Sequence, residues 1–380
     1  MASLTREQAQ TGGAAALAST DAGGRPEPVD AHGGNVFQVA RERGWNWREV
    51  LDFSANINPF GVPASVRRAI EASLESIRHY PELGSPELRR AAAKAWGVGE
   101  GQILAGNGAT ELLYFLVRVL KPGRVHLVLP AFGEYRRVLT DCEVTVTRCR
   151  TDEDYAMPLP EIAADVRRHQ PDLLFLTNPN NPTGGLLDSA ELRRCLGGGL
   201  PTGTRVILDE SFLDFTREPS MSRETRRLPG LFVLRSLTKF YALPGLRLGC
   251  VIAAEETVKE LEKAREPWQT NVLAEQGGIA ALRDEKYRRR SMEFIETERA
   301  WLQERLNRIQ GLKALRAAAN FLFVHCDGPV SDLQAFLLDH KILIRDVTQM
   351  EGVEGNAFRI AVRTRQDNAR LLTLLEEFFS

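Results

Sequence analysis

Five short runs carry residues whose types and spacing could do chemistry, and they occur in order along the chain. Lys239 lies in Arg235-Ser236-Leu237-Thr238-Lys239-Phe240, beside two hydroxyl residues in an otherwise apolar segment. Burial lowers an amine's pKa and frees it as a nucleophile, so Lys239 is a candidate Schiff-base lysine. Asp209-Glu210 ends an apolar run, where a carboxylate is costly unless it meets a cation or a ligand N–H; a structural ion pair is the alternative. Asn178-Pro179-Asn180-Asn181-Pro182-Thr183-Gly184 has two prolines that remove donors and stiffen the loop, leaving the Asn181 amide on display. Gly106-Asn107-Gly108-Ala109-Thr110-Glu111 is a glycine turn opening an apolar helix, a place where free N–H groups can meet a phosphate. Many helices start after Gly, so that turn by itself decides nothing. Gly245-Leu246-Arg247-Leu248-Gly249 sets a guanidinium between glycines, suited to bidentate phosphate binding.

Each run stands near the end of an expected strand. Buried strands are expected at Val125–Leu129, Leu173–Thr177, Val206–Leu208, Leu231–Leu234 and Leu248–Ile252. Helix-length segments, Thr110–Leu120, Pro160–Arg168 and Asp188–Leu196, lie between them. Continuous apolar strands with intervening helices imply an α/β fold with a mostly parallel sheet covered on both faces. Ligands bind such sheets beyond the carboxyl ends of the strands, so the five runs point to one site. After Gly278 the texture changes. A charged helix over Lys286–Ile309 precedes strand-like pieces at Phe321–His325, Ile342–Ile344 and Phe358–Val362, then a closing helix near Asn368–Phe379. We expect a disordered tail over residues 1–30, a large α/β domain over 76–278, and a smaller α+β domain built from 31–75 and 279–380.

Composition narrows the function. The 380 residues are 43% hydrophobic and 26% charged, with a formal net charge of −1. No global field would draw in nucleic acid or an anionic membrane, so an anionic ligand needs a local site. The five cysteines are scattered, without a CxxC pair or a metal-like spacing to His. This predicts reduced thiols in a cytoplasmic protein and no metal. Neither a signal-peptide pattern nor an apolar run of membrane-spanning length is expected.

The runs NPNNPTG, DE, SLTK and GLRLG resemble the class I/II aminotransferase superfamily, and the resemblance covers nearly all of residues 31–380. It implies the aspartate-aminotransferase-like fold and a pyridoxal-5'-phosphate (PLP) cofactor. The likeness narrows to the threonine-phosphate decarboxylase family of cobalamin biosynthesis, with histidinol-phosphate aminotransferases next. His32-Gly33-Gly34-Asn35, the run Leu51 to Pro59, Leu104 to Gly108 and Val233 to Gly249 carry it.

The resemblance implies a role for each matching residue. Lys239 would bond the cofactor and later move the proton at Cα. Asp209 would keep the pyridine nitrogen protonated, Asn181 would donate to the ring O3', and Phe132 would stack on the ring. The cofactor phosphate would sit on the N–H groups of Gly108 and Ala109, with Ser236, Thr238 and Arg247 completing the cup. Tyr80 would reach the phosphate of a second subunit's cofactor, implying a homodimer with shared active sites. Arg359 would hold the substrate α-carboxylate; Arg345, with His32 and Asn56, would hold a substrate phosphate. Many relatives carry Tyr where this chain has Phe212; the decarboxylase-like sequences resemble this chain in having Phe there. The implied reaction is decarboxylation of O-phospho-L-threonine, the bond perpendicular to the ring being the one that breaks. Histidinol-phosphate transamination and O-phosphoserine decarboxylation remain as alternatives. A transcription regulator with an aminotransferase-like domain would need a helix-turn-helix that thirty Ala/Gly/Thr-rich residues cannot supply.

Overall fold

The computed structural model describes residues 33–150 and 154–380. Its strands in chain order are β1 (Leu51–Asp52), β2 (Ile103–Gly106), β3 (Arg124–Leu129), β4 (Glu143–Arg148), β5 (Leu173–Thr177), β6 (Arg205–Asp209), β7 (Leu231–Ser236), β8 (Gly249–Ile252), β9 (Leu312–Ala314), β10 (Phe321–Cys326), β11 (Ile342–Leu343), β12 (Arg345–Asp346) and β13 (Ala357–Ala361). Seven form one sheet in the order β2-β8-β7-β6-β5-β3-β4. Within it β8 alone runs against its neighbours; β3 to β7 pair in parallel.

The strands read as unbroken apolar runs because both faces are covered. Along β5, Leu173 and Phe175 enter one apolar cluster while Leu174 and Leu176 enter another. Side chains alternate across a strand, so the sheet separates two cores. The parallel strands all point their carboxyl ends at one edge, and the five chemical runs sit there.

The second sheet, β12-β13-β10-β9, is antiparallel. It shares an apolar cluster with the Glu285–Leu306 and Arg365–Phe378 helices, through Leu302, Leu306, Leu322, Ile360, Leu371 and Leu375. One expectation needs correction. Ile342–Ile344 is not a single strand: Ile342 and Leu343 pair in parallel with β1, and the chain then changes sheets so that Arg345 pairs with β13. Ile344 is buried at the crossing. Leu248 likewise falls outside β8, because Arg247 before it adopts a left-handed φ of 54°. The edge strand β4, with its alternating valines and threonines, and the short strand β2 were not anticipated. Helices Val36–Arg43, Ala64–Ala72, Pro86–Trp96 and Val272–Arg283 were not anticipated either.

Candidate active site

Three parallel strands end side by side and deliver the central residues. β6 lies between β5 and β7 with Asp209 in register with Thr177 and Leu234. Lys239 follows β7, and its Nζ donates to Ser236 Oγ at 3.3 Å. A small cavity is lined by Ala109, Phe132, Asn181, Asp209, Phe212 and Lys239, together with Tyr135 and Thr177. Burial lowers the Lys239 pKa to about 8, with Asp209 opposing and the Arg247 and Arg359 charges adding to the fall. The amine is therefore far easier to deprotonate than a surface lysine, as a nucleophile requires. Phe212 faces it with its ring centre 5.9 Å from Nζ.

Asp209 is tightly oriented. Tyr135 donates its phenolic proton to Oδ2 at 2.7 Å, and the Ser211 N–H donates to Oδ1 at 2.8 Å. Because the phenol's one proton goes to Asp209, Thr177 supplies the proton in the 2.9 Å contact between the two hydroxyls. Burial, then the Asp209 charge, holds the Tyr135 pKa well above the phenol range, so it stays a donor. Sequence reasoning missed Tyr135. The signal was its spacing of three from Phe132, which places both rings on one side of the Gly133–Val138 helical turn. Asn58 was also missed: its N–H bonds the Lys239 carbonyl at 3.1 Å and its amide bonds the Phe240 carbonyl at 2.8 Å, tying down the lysine's backbone. The neighbour Glu210 turns away from the cavity into a buried ion pair with Arg235.

The glycine turn forms a tight cradle. Gly108 has φ 96°, and a Cβ there would lie 2.7 Å from Arg247 Nη2. A Cβ on Gly249 would lie 2.7 Å from the Ala109 nitrogen. The helix Ala109–Leu120 begins here with no side-chain cap, so its first N–H groups have no helical partner. The expectation that Gly108 lends its own N–H needs correction, since that group closes the turn onto the Gly106 carbonyl at 2.8 Å. Gly108 serves by being small. Ser236 and Thr238 hydroxyls lie 2.8 Å apart beside the cradle.

Two arginines face each other across β12 and β13, Arg345 opposite Arg359. Like charges directly opposite destabilise a sheet, so the pair makes sense as a place for anions. Arg359 donates to Asn181 Oδ1 at 2.6 Å and to the Ser54 carbonyl at 2.9 Å, which turns the Asn181 NH2 towards other partners. Burial, then the Arg345 charge, lowers the Arg359 pKa, yet a guanidinium remains charged. Arg359 Nε and Asn56 Oδ1 are buried without a hydrogen-bond partner among the described residues. Orphaned buried polar atoms are costly and suit a bound polar ligand. Tyr80 is not among the cavity-lining residues; it is 79% exposed and stacks on Trp268 with ring centres 4.6 Å apart. His32 lies outside the described residues.

A phosphate-bearing carbonyl compound with a ring nitrogen fits these residues: cradle, buried amine, oriented carboxylate and Phe132 come from one edge of one sheet. The described residues hold no group of three or more His, Cys, Asp or Glu able to bind a metal. No helix among them is long and apolar enough to cross a membrane.

Comparison with known proteins agrees with this geometry. The family model for aminotransferase class I and II matches residues 48–375. A threonine-phosphate decarboxylase of Salmonella typhimurium is 36% identical over 91% of this chain and 95% of its own. Among solved structures, the histidinol-phosphate aminotransferase from Clostridium acetobutylicum superposes with TM-score 0.81 at 26% identity, over 87% of this chain and 99% of that one. The L-threonine-O-3-phosphate decarboxylase from Porphyromonas gingivalis gives TM-score 0.77 at 25% identity, with the same coverage.

Proposed function

Since the chain belongs to the class I and II aminotransferases, we propose that it is a PLP-dependent decarboxylase. It converts O-phospho-L-threonine to (R)-1-amino-2-propanol O-phosphate for cobalamin biosynthesis. The observation that carries the reading is the facing pair Arg345 and Arg359, the latter near enough for its charge to act on the buried amine Lys239, with a threonine-phosphate decarboxylase as a 36%-identical relative.

When bound, the cofactor supplies a conjugated sink for the electron pair left at the substrate Cα when a bond there breaks. The chain's residues do the rest. Asp209, fixed by Tyr135 and Ser211, would meet the ring nitrogen, and Phe132 would cover the ring. Ala109, Ser236, Thr238 and Arg247 would hold the cofactor phosphate, with Gly108 leaving room for it; Asn181, with its oxygen committed to Arg359, would present its NH2 to O3'. Arg359 takes the substrate carboxylate and Arg345, with Asn56 and His32, the substrate phosphate. A substrate held at both anionic ends cannot turn freely about Cα, so these cations select the bond that breaks. The carboxylate would leave as CO2, and Lys239, in its protonated ammonium form, would deliver a proton to Cα in its place. The reading extends to a cytoplasmic homodimer in which Tyr80 of each chain reaches the other's cofactor phosphate.

Phosphothreonine supplied alone should yield CO2 and the amine over many turnovers. A requirement for a keto acid, with an amino acid as product, would instead identify a histidinol-phosphate-type transaminase. Arg345→Ala should lose kcat as well as affinity, because remote binding energy orients the reacting bond.

A further inference from the structure

Arg265 does not line the cavity, yet it grips the phosphate cradle from behind. Its side chain is 8% exposed. One guanidinium nitrogen donates to the Ala105 carbonyl, near the end of β2 just before the cradle. Another meets Glu111 Oε2 at 3.4 Å, and Nε donates to Gln269 at 2.9 Å. Glu111 Oε2 in turn accepts the Asn107 N–H at 3.1 Å. The fit is close enough that a Cβ on Gly106 would lie 2.6 Å from that same oxygen. Arg265 thus holds the strand end entering the turn and, through Glu111, the middle of the turn itself.

Charge makes the arrangement more than a brace. Glu111 stands in the first turn of the Ala109–Leu120 helix, where the free N–H groups would meet a phosphate. A carboxylate that close to a bound phosphate repels it unless its charge is balanced. Arg265 is the cation in contact with Glu111.

We propose that Arg265 is a positioning residue for phosphate binding, pinning the Ala105–Gly108 turn and neutralising Glu111 beside the anion. This rests on the PLP reading above. Arg265→Met removes both the pin and the balancing charge, whereas Arg265→Met/Glu111→Gln removes the pin but also the repulsion. Affinity for PLP should therefore fall in the order wild type, double variant, single variant.

The test titrates cofactor-free protein with PLP and with pyridoxal, which lacks the phosphate, following binding by absorbance and by protein fluorescence. Arg265→Met should lose about tenfold in affinity for PLP, because the Glu111 carboxylate would then repel the bound phosphate unbalanced. Its affinity for pyridoxal should stay that of wild type. Equal losses for both ligands would make Arg265 a merely structural residue and overturn the proposal. So would a double variant that binds PLP no better than Arg265→Met. Wild-type protein that binds neither ligand would instead overturn the cofactor reading itself.

Discussion

Lys239 sets the residue-scale behaviour of the site, and its pKa has a consequence for stability. Burial brings the amine from an ordinary 10.5 to about 8. A folded-state pKa below the unfolded value means that folding disfavours the charged form. The cost is absent above pH 10.5, grows as pH falls towards 8, and is fully present below it. Cofactor-free Lys239→Met should therefore melt above the cofactor-free wild type at pH 7, and the gap should close as pH rises from 8 to 10.5. A gap independent of pH would contradict the buried amine. Tyr135 offers a second residue-scale test. Tyr135→Phe removes the donor to Asp209 Oδ2 and strands the Thr177 hydroxyl, which should cost about 1–3 kcal/mol in denaturant melts. It should also shift the pH dependence of the bound cofactor's visible absorbance, which a loss of packing alone would leave in place. Lys239 was legible in the sequence because a lysine that follows two hydroxyl residues, Ser236 and Thr238, in an otherwise apolar run is an unusual place for a charge. Tyr135 was not, because its importance comes from a carboxylate far along the chain.

At the scale of elements, the cradle depends on glycines placed where a β-strand and a helix start touch. Gly249→Ala would drive a methyl to 2.7 Å from the Ala109 nitrogen and 3.0 Å from the Arg235 carbonyl. Backbone cannot yield as a side chain tip can, so the variant should lose about 1–3 kcal/mol of stability and much of its cofactor affinity. Gly197 is the contrasting case. It lies in the Ser189–Gly198 helix with nothing within 4 Å of a Cβ, so Gly197→Ala should stabilise by up to about 1 kcal/mol and leave cofactor binding unchanged. Elements with continuous apolar runs, such as Leu173–Thr177, were legible to the residue, because two-sided burial leaves its mark on every position. β4 was missed although Val144 and Val146 alternate with threonines, a period-2 β-branched pattern that suits a strand; what lies beyond any local pattern is that those threonine hydroxyls bond the buried His126 ring. The break at Ile344 escaped for a similar reason. Both halves of Ile342–Asp346 suit a strand, and only the distant partners, β1 and β13, divide them.

For the whole molecule, the question is whether one chain makes a complete site. Tyr80, assigned to a cofactor phosphate, is 79% exposed and stacks on Trp268, which is itself 48% exposed. Leu74, Ile77 and Leu83 are more than half exposed in the same stretch of chain. On the homodimer reading, a second copy seated on this exposed apolar stretch would receive Tyr80. The homodimer reading then makes a prediction that no monomeric site can imitate. Lys239→Ala removes the amine from its own chain's site, while Tyr80→Ala removes the phosphate contact from the neighbour's site. In a mixed dimer, the chain carrying Tyr80→Ala still has Lys239, and its partner still has Tyr80, so one of the two sites is native. The other site lacks both groups. Mixing the two weakly active variants and allowing subunits to exchange should therefore restore decarboxylation towards about a quarter of the wild-type rate, because random exchange pairs about half of the dimers as mixed and each mixed dimer has one native site of its two. If Tyr80 served its own chain's site, the mixture would contain no native site and would show only the average of its parts. Sedimentation of the mixture, run alongside the CO2 assay, checks that the chains are paired when the rate is read. A restored rate that falls on dilution in step with dissociation would tie the activity to the shared interface.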